Sequence, residues 1–128
     1  MRTTKLAAAA AAASLALVIG GAPALANDED VIKRGSCSGG TTWKIKAKPD
    51  DGRLEVEGEI DSNRSGQKWR WRLVHNGSLS ARGKKVTKPP SGSFEVKRRV
   101  VDLKGTDHLK FRAKHRKTGE VCVGRLNI

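Results

Sequence analysis

The sequence lacks the short motifs that mark common enzyme classes. It contains no Gly-x-Ser-x-Gly, no His-Glu-x-x-His and no phosphate-binding loop. Its three histidines, His75, His108 and His115, stand at predicted strand ends and not in one cluster. We therefore expect a protein that is not an enzyme and that carries no cofactor.

Aromatic residues are scarce, because the chain has no Tyr, two Phe and three Trp. Proteins that bind single-stranded nucleic acid commonly stack bases on exposed aromatic side chains. Here the alternation around Trp69 and Trp71 places both side chains on the inner side of a strand, and no named nucleic-acid motif is present. We therefore expect a partner other than nucleic acid.

Cysteine is limited to one pair, Cys37 and Cys122. Neither residue belongs to a Cys-x-x-Cys motif, and two isolated thiols make a poor metal site, so we expect no bound metal. In an exported protein an even pair is typical of a disulfide. A Cys37–Cys122 bond would close a long loop, which is worth about 4–5 kcal/mol in the chain-entropy model.

The N-terminus has the three parts of a secretory signal. Arg2 and Lys5 come first, an uncharged apolar run covers residues 6–19, and residues 24–26 (Ala-Leu-Ala) form a cleavage site. The apolar run is shorter than the about 20 residues that a membrane span needs, and a retained N-terminal anchor is the alternative. We expect residues 1–26 to be a signal peptide. The mature chain is then secreted, in the medium or at the cell wall, with no transmembrane anchor.

The mature chain is short and strongly basic. It keeps 24 of the 26 basic residues and all 13 acidic ones, which gives a net charge of +11. We expect residues 27–34 to form a flexible acidic segment and residues 35–128 to form a single domain. A charge excess of this size favours solubility and anionic partners and does not indicate a fold.

Short alternating segments separated by turn residues run through the domain, and no stretch has a helical period. The pattern predicts seven strands, which begin at residues 41, 53, 67, 79, 93, 108 and 120. Seven short strands in about 100 residues are typical of an all-β, immunoglobulin-like or fibronectin type III-like antiparallel sandwich.

The first two predicted strands form a hairpin. Residues 49–52 (Pro-Asp-Asp-Gly) are a turn signal between them. A turn of this length pairs Lys48 with Arg53 and sets Lys44 opposite Glu57. Opposite charges across a strand pair contribute about 0.2–1 kcal/mol each.

The third and fourth predicted strands form a second hairpin around Asn76 and Gly77. A two-residue turn would set Leu73 opposite Ser80. A three-residue loop with a bulge sets Leu73 opposite Ala81, which fits the apolar alternation better. The sequence therefore predicts a bulge in this hairpin.

An immunoglobulin-like strand order divides the charges unequally between two sheet faces. Predicted strands one, two and five share one sheet, where an acidic strand lies between two basic ones. Predicted strands three, six and seven share the other sheet, and no acidic residue falls at its outward positions. These positions carry the candidate site residues, which are Lys68, Arg70, Arg72, Lys110, Arg112 and Lys114, with Arg125 as a further candidate.

Rows of Lys and Arg suit phosphate, sulfate or carboxylate groups. We predict a secreted, non-enzymatic binding module whose partner is an anionic polymer, such as a wall glycopolymer or an acidic polysaccharide. A module that presents residues 62–66 or 87–92 to a partner protein, as an inhibitor would, is the first alternative. A small-molecule carrier with a cleft between the sheets is the second. A basic face that only keeps a secreted protein soluble also stays open.

The mature chain contains the run WKIKAKPDDGRLEV at residues 43–56. It also contains DSNR at 61–64, PSGSF at 90–94 and TGEVC at 118–122. Together these motifs resemble a group of small secreted proteins of high-GC Gram-positive bacteria (actinobacteria), and the likeness covers most of the mature chain. The resemblance implies export and a sandwich fold. It carries over no site residues, because that group has no assigned activity.

Overall fold

The computed structural model describes residues 30–128, which form an antiparallel β-sandwich of eight strands. The predicted signal peptide, residues 1–26, and the first residues of the predicted acidic segment lie outside the described residues. No helix occurs between residues 30 and 128, and so none that could cross a bilayer. The strands are β1 (Val31–Ser36), β2 (Thr42–Asp50), β3 (Arg53–Asp61), β4 (Lys68–His75), β5 (Ser78–Val86), β6 (Ser93–Val101), β7 (His108–His115) and β8 (Val121–Asn127).

The strands form two four-stranded sheets, ordered β1-β2-β3-β6 and β5-β4-β7-β8. All pairings within them are antiparallel. The all-β class is therefore confirmed, and so is the predicted division of strands one, two and five from strands three, six and seven. The fourth predicted strand, β5, joins the second sheet at its edge.

The first strand of the structure, β1, corrects two predictions. The count is eight strands and not seven, and residues 31–34 are paired with β2 and do not belong to a flexible segment. Sequence alternation misses β1 because Ile32, Lys33 and Arg34 are all exposed. An edge strand is held by its backbone ladder and can form without an apolar stripe.

The core lies between the two inner sheet faces and is filled by apolar side chains. Trp69 and Trp71 of β4 point into it and are 0% and 2% exposed, as the alternation predicts. Phe111 of β7 packs flat against Gly58 of β3, where any Cβ would come within 2.7 Å of its ring. Burial of such aromatic side chains is a main source of stability in a domain of this size.

The predicted register of the first hairpin is wrong by two residues. Asp50 pairs with Arg53, and Lys44 pairs with Glu59. The turn consists of Asp51 and Gly52 alone, whose φ angles are 55° and 80°. Positive φ at both central residues is the geometry of the tight two-residue turn that suits the twist of a hairpin. Side chains alternate with a period of two, so a shift of two leaves every side chain on its predicted face.

The second hairpin confirms the predicted pairing of Leu73 with Ala81. Its turn also has two residues, Asn76 and Gly77, with φ angles of 48° and 83°. The register shifts between Leu73 and Val74, so the bulge lies within the strands and not in a three-residue loop. The bulge restores the apolar alternation that a regular ladder from this turn would lose.

The edge where β1 and β2 meet β8 is closed covalently. Cys37 and Cys122 form the predicted disulfide, with an S–S distance of 2.03 Å. The Trp43 ring lies between Gly35 and Gly124, where an added Cβ would come within 2.5 Å and 2.6 Å of it. Small residues on both sides therefore allow this indole to fill the junction between the sheets.

Glu120 joins the turn before β8 to the turn between β1 and β2. Its carboxylate accepts hydrogen bonds from Gly39 N at 2.7 Å, Thr41 N at 3.1 Å and Thr41 Oγ1 at 2.7 Å. Burial alone would raise the pKa of Glu120, but these three donors outweigh it and hold the pKa below its ordinary value. The carboxylate acts as a structural clamp beside the disulfide.

Candidate functional site

The six candidate residues lie together on the outer face of the second sheet. Three come from β4 and three from β7, which are neighbouring strands in the middle of that sheet. Arg70 is directly opposite Lys114, and Arg72 is directly opposite Arg112. Directly opposite residues on one face have Cβ atoms about 4.5–5.5 Å apart. The fold therefore brings like charges into contact range on adjacent strands.

Strand β5 adds two cations that sequence reasoning missed. Lys84 lies opposite Arg70, and Arg82 lies opposite Arg72, on the same outer face. Two rows of three cations result, one of Lys84, Arg70 and Lys114 and the other of Arg82, Arg72 and Arg112. Sequence alternation could have indicated both cations, since they alternate with inward Ala81 and Gly83. The indication needed the assignment of β5 to this sheet, which the sequence does not give.

Strand β8 ends the rows on one side. Val121 lies opposite Lys114, and Val123 lies opposite Arg112, so neither row gains a fourth charge. Arg125 is exposed and lies opposite Lys110. We define the basic face by its outward cations, which are Lys68, Arg70, Arg72, Arg82, Lys84, Lys110, Arg112, Lys114 and Arg125.

Within the part of the chain that the structure describes, no acidic residue neutralises the basic face. The four strands of its sheet contain no Asp or Glu at all. Within residues 30–128, none of its cations takes part in an ion pair. A shallow depression of about 580 Å³ lies over the two central rows and is lined by their six cations together with Trp71 and Gly83.

The outer face of the first sheet carries both signs of charge, and we call it the mixed face (outward residues of β1, β2, β3 and β6). Lys44 Nζ lies 3.7 Å from Glu57 Oε1. Arg99 Nη2 lies 3.3 Å from Asp50 Oδ2. Lys46 extends to Asp30 at 3.2 Å, just before β1. The acidic strand β3 stands between β2 and β6, so carboxylates and cations alternate across this sheet.

Three carboxylates of the mixed face, those of Glu57, Glu59 and Glu95, lie within 4.8 Å of one another. A hydrogen bond to Glu57 is the main cause that raises the pKa of Glu95, and partial burial and the charges of Glu57 and Glu59 add to it. Burial would raise the pKa of Glu57 as well, but the hydrogen bond from Glu95 and the nearby ammonium groups, Lys44 first, lower it below its ordinary value. The cluster therefore favours protonation of Glu95 over protonation of Glu57, and lysine ammonium groups lie near it.

The three histidines have local structural partners. His75 Nε2 lies 2.5 Å from Asp107 Oδ1, and both side chains are almost fully buried at one end of the sandwich. His108 and His115 hydrogen-bond to Asn127 and Thr118 through their ring nitrogens. Each contact connects a strand end to a turn or to the neighbouring strand. Of the three, His108 has an outward position on β7, two residues before Lys110, at one end of the basic face.

The two loops that the sequence offers as protein-binding loops lie side by side. Ser62 N donates to Gly92 O at 3.0 Å, and Gly66 N donates to Thr87 O at 2.8 Å. Thr87 Oγ1 also donates to Arg64 O at 2.6 Å. Residues 62–66 and 87–92 therefore form one hydrogen-bonded surface at an end of the sandwich.

The space between the sheets holds the buried core and offers little support for a small-molecule cleft. The depressions on the surface of residues 30–128, including the one over the basic face, are open to solvent. No model of a known protein family, no curated protein and no solved structure matches the chain. The basic face is therefore the best-supported candidate site on structural grounds.

Proposed function

We propose that the mature protein is an extracellular, non-enzymatic binding module that holds anionic polymers on its basic face. One observation carries the proposal, namely two rows of three cations without any carboxylate beside them. Like charges on neighbouring strands cost stability. An anionic ligand would offset that cost, since it would supply the negative charges that the sheet lacks.

The chemistry of the face favours a polymer of phosphate, sulfate or carboxylate groups. One of the two rows consists of three guanidinium groups, from Arg82, Arg72 and Arg112. Each guanidinium can form two parallel hydrogen bonds to such an anion. Trp69 and Trp71 point away from this face, so it offers no ring on which a base could stack. A wall glycopolymer or an acidic polysaccharide fits these features better than a nucleic acid.

A protein-binding module is the second candidate. The hydrogen bonds between residues 62–66 and 87–92 make a fixed loop surface of the kind that a partner protein can bind. Such binding depends on shape and hydrogen bonds, and it would respond weakly to salt and be lost on loop replacement. The two candidates therefore differ in salt dependence.

Salt elution of the mature protein from immobilised heparin and from isolated cell wall tests the proposal. The face variant, Arg70→Glu with Arg112→Glu, reverses two charges in the central rows. The control variant, Lys33→Glu with Lys104→Glu, makes the same net change at exposed positions away from the basic face that form no ion pair within residues 30–128.

We expect wild type and control to elute at similar, high salt and the face variant to elute early. Binding to a polyanion falls steeply with salt because each contact releases a condensed counterion. Equal elution of both variants would mean that binding follows bulk charge, and the basic face would then not be a site. Retention on cell wall that is insensitive to salt would favour the loop surface.

A further inference from the structure

The middle of the basic face consists of two parallel files of cations. Outward positions of β4 carry Lys68, Arg70 and Arg72, and those of β7 carry Lys110, Arg112 and Lys114. Along a strand, side chains of one face repeat every second residue, and each residue adds about 3.4 Å. From Lys110 to Lys114 the double file therefore extends for about 14 Å parallel to the strands. Across the strands, the rows end after three cations at the valines of β8.

One end of this double file continues into further cations. Arg116 N donates to Lys68 O at 2.9 Å, so Arg116 follows Lys114 at the edge of the face and lies beside Lys68. Lys117 and Arg64 lie next to it around a second depression of about 680 Å³. The other residues that line this depression are Gly66, Gln67, Lys68, His115 and Thr118, and none is acidic.

At the opposite end of the double file, neither Lys110 nor Val74 is followed outward by a lysine or arginine. Beyond Lys110 and Val74 the chain turns through Asn76 and His108, which are connected by a hydrogen bond from His108 N to Asn76 Oδ1 at 2.7 Å. His108 in turn contacts Asn127 of β8 at 2.8 Å. An extended anion would therefore meet cations beyond only one end of the face.

The backbone of Arg64 is held by hydrogen bonds to neighbouring residues. Its carbonyl accepts the hydrogen bond from Thr87 Oγ1, and the same hydroxyl accepts one from Gln67 N at 2.9 Å. Thr87 is 1% exposed, so this hydroxyl is shielded from water. Gly92 packs so closely that a Cβ would come within 2.2 Å of Arg64 N. Arg64 is thus presented by a rigid loop, which lowers the entropic cost of binding.

We propose that a polyanion lies parallel to the strands over β4 and β7 and leaves the protein over this end, where Arg64, Arg116 and Lys117 form a second subsite. The proposal rests on the function proposed above. It adds the direction in which the polyanion lies and the chain length that it needs. A chain too short to cover the double file contacts the basic face alone. Longer chains contact both subsites, and their affinity rises through the second set of contacts.

Calorimetric titration with inorganic tripolyphosphate and with long-chain polyphosphate tests this arrangement. The end variant, Arg116→Glu with Lys117→Glu, is compared with the face variant and the control variant of the elution experiment. All three make the same net charge change at exposed or half-exposed positions. Urea unfolding of each variant establishes that it is folded.

The end variant should bind long-chain polyphosphate about tenfold more weakly than wild type, because two exposed ion pairs are lost and two repulsions are added. Its affinity for tripolyphosphate should equal that of the control variant, whereas the face variant should lose affinity for both probes. An end variant that matches the control toward long chains would overturn the second subsite and leave the basic face intact. If all three variants bind alike, both the subsite and the proposed function fail.

Discussion

The two outer faces of the sandwich differ in whether their lysines and arginines have carboxylate neighbours. On the mixed face, outward lysines and arginines of β2 and β6 stand beside the carboxylates of β3. On the basic face, three neighbouring strands carry cations with no carboxylate among them. Carboxylates therefore neutralise the outward cations of one sheet only. A need for solubility alone would not explain this difference, because cations on either face would satisfy it.

Reversing one charge on the mixed face should have the largest effect on the free energy of unfolding. Glu57 is 8% exposed and lies near Lys44. Glu57→Lys removes a partly buried contact with Lys44 and replaces it by a repulsion. Attraction of the new ammonium group to Glu59 and Glu95 offsets part of this cost, so we expect a loss of about 1–2 kcal/mol in the free energy of unfolding. Urea titration measures the loss. The control Asp102→Lys, at an exposed position with no ion pair in the described chain, should change stability by less than about 0.5 kcal/mol. Equal losses would show that net charge alone matters.

Acidification should lower the stability of the protein by an intermediate amount, because it protonates carboxylates of the mixed face. The folded protein lowers the pKa of Glu57, so its contribution to stability is complete above the ordinary value of 4.5 and is lost as the pH falls through the lowered pKa. Glu95 acts in the opposite sense, because its raised pKa gives a contribution that is lost as the pH rises through that value.

We therefore expect Glu57→Gln, made in a Glu95→Gln background, to flatten the fall in stability below pH 4.5. Thermal unfolding followed by circular dichroism across acidic pH measures this profile for the single and double variants. Parallel profiles would contradict a contribution of Glu57.

Introducing one carboxylate into the basic face should have the smallest effect on stability and the opposite sign. Arg72 has Arg82 on one side and Arg112 on the other. Arg72→Glu replaces two repulsions by two attractions, so we expect a gain of about 0.2–1 kcal/mol. Urea titration measures the gain, and Arg72→Gln should give a smaller one. A loss of stability in both variants would indicate that the Arg72 side chain contributes by packing.

The predicted facing of outward residues is unaffected by a register error of two, because side chains of a strand alternate between faces with a period of two. The first hairpin is shifted by two residues, yet Lys44 and Glu57 keep their predicted face. Alternation likewise sets three candidates outward on each of two strands, and the assumed immunoglobulin-like strand order places those two strands in one sheet. The two cations of β5 escaped prediction because the sheet that contains β5 is decided by topology, which local pattern does not specify.

Residues in turns and at edges are harder to predict for a physical reason. Arg64, Arg116 and Lys117 lie outside strands, where side-chain direction depends on individual φ and ψ angles and on loop contacts. Strand β1 has no inward apolar stripe, so only its backbone pairing with β2 defines it. The disulfide could be predicted because two cysteines allow one pairing.

The burial of Trp69 and Trp71 behind the basic face has an optical consequence. Their indole rings lie on the inner side of β4, while Arg70 and its neighbours point outward from the same strand. A polymer held on the outer surface is thus separated from both rings by the sheet itself. Trp43, the third indole, is half-buried and also packs against the core. Intrinsic emission should therefore report mainly whether the protein is folded and should change little when the face is occupied. A flat fluorescence titration is therefore the expected signature of a ligand bound on the far side of the sheet and does not indicate an empty face.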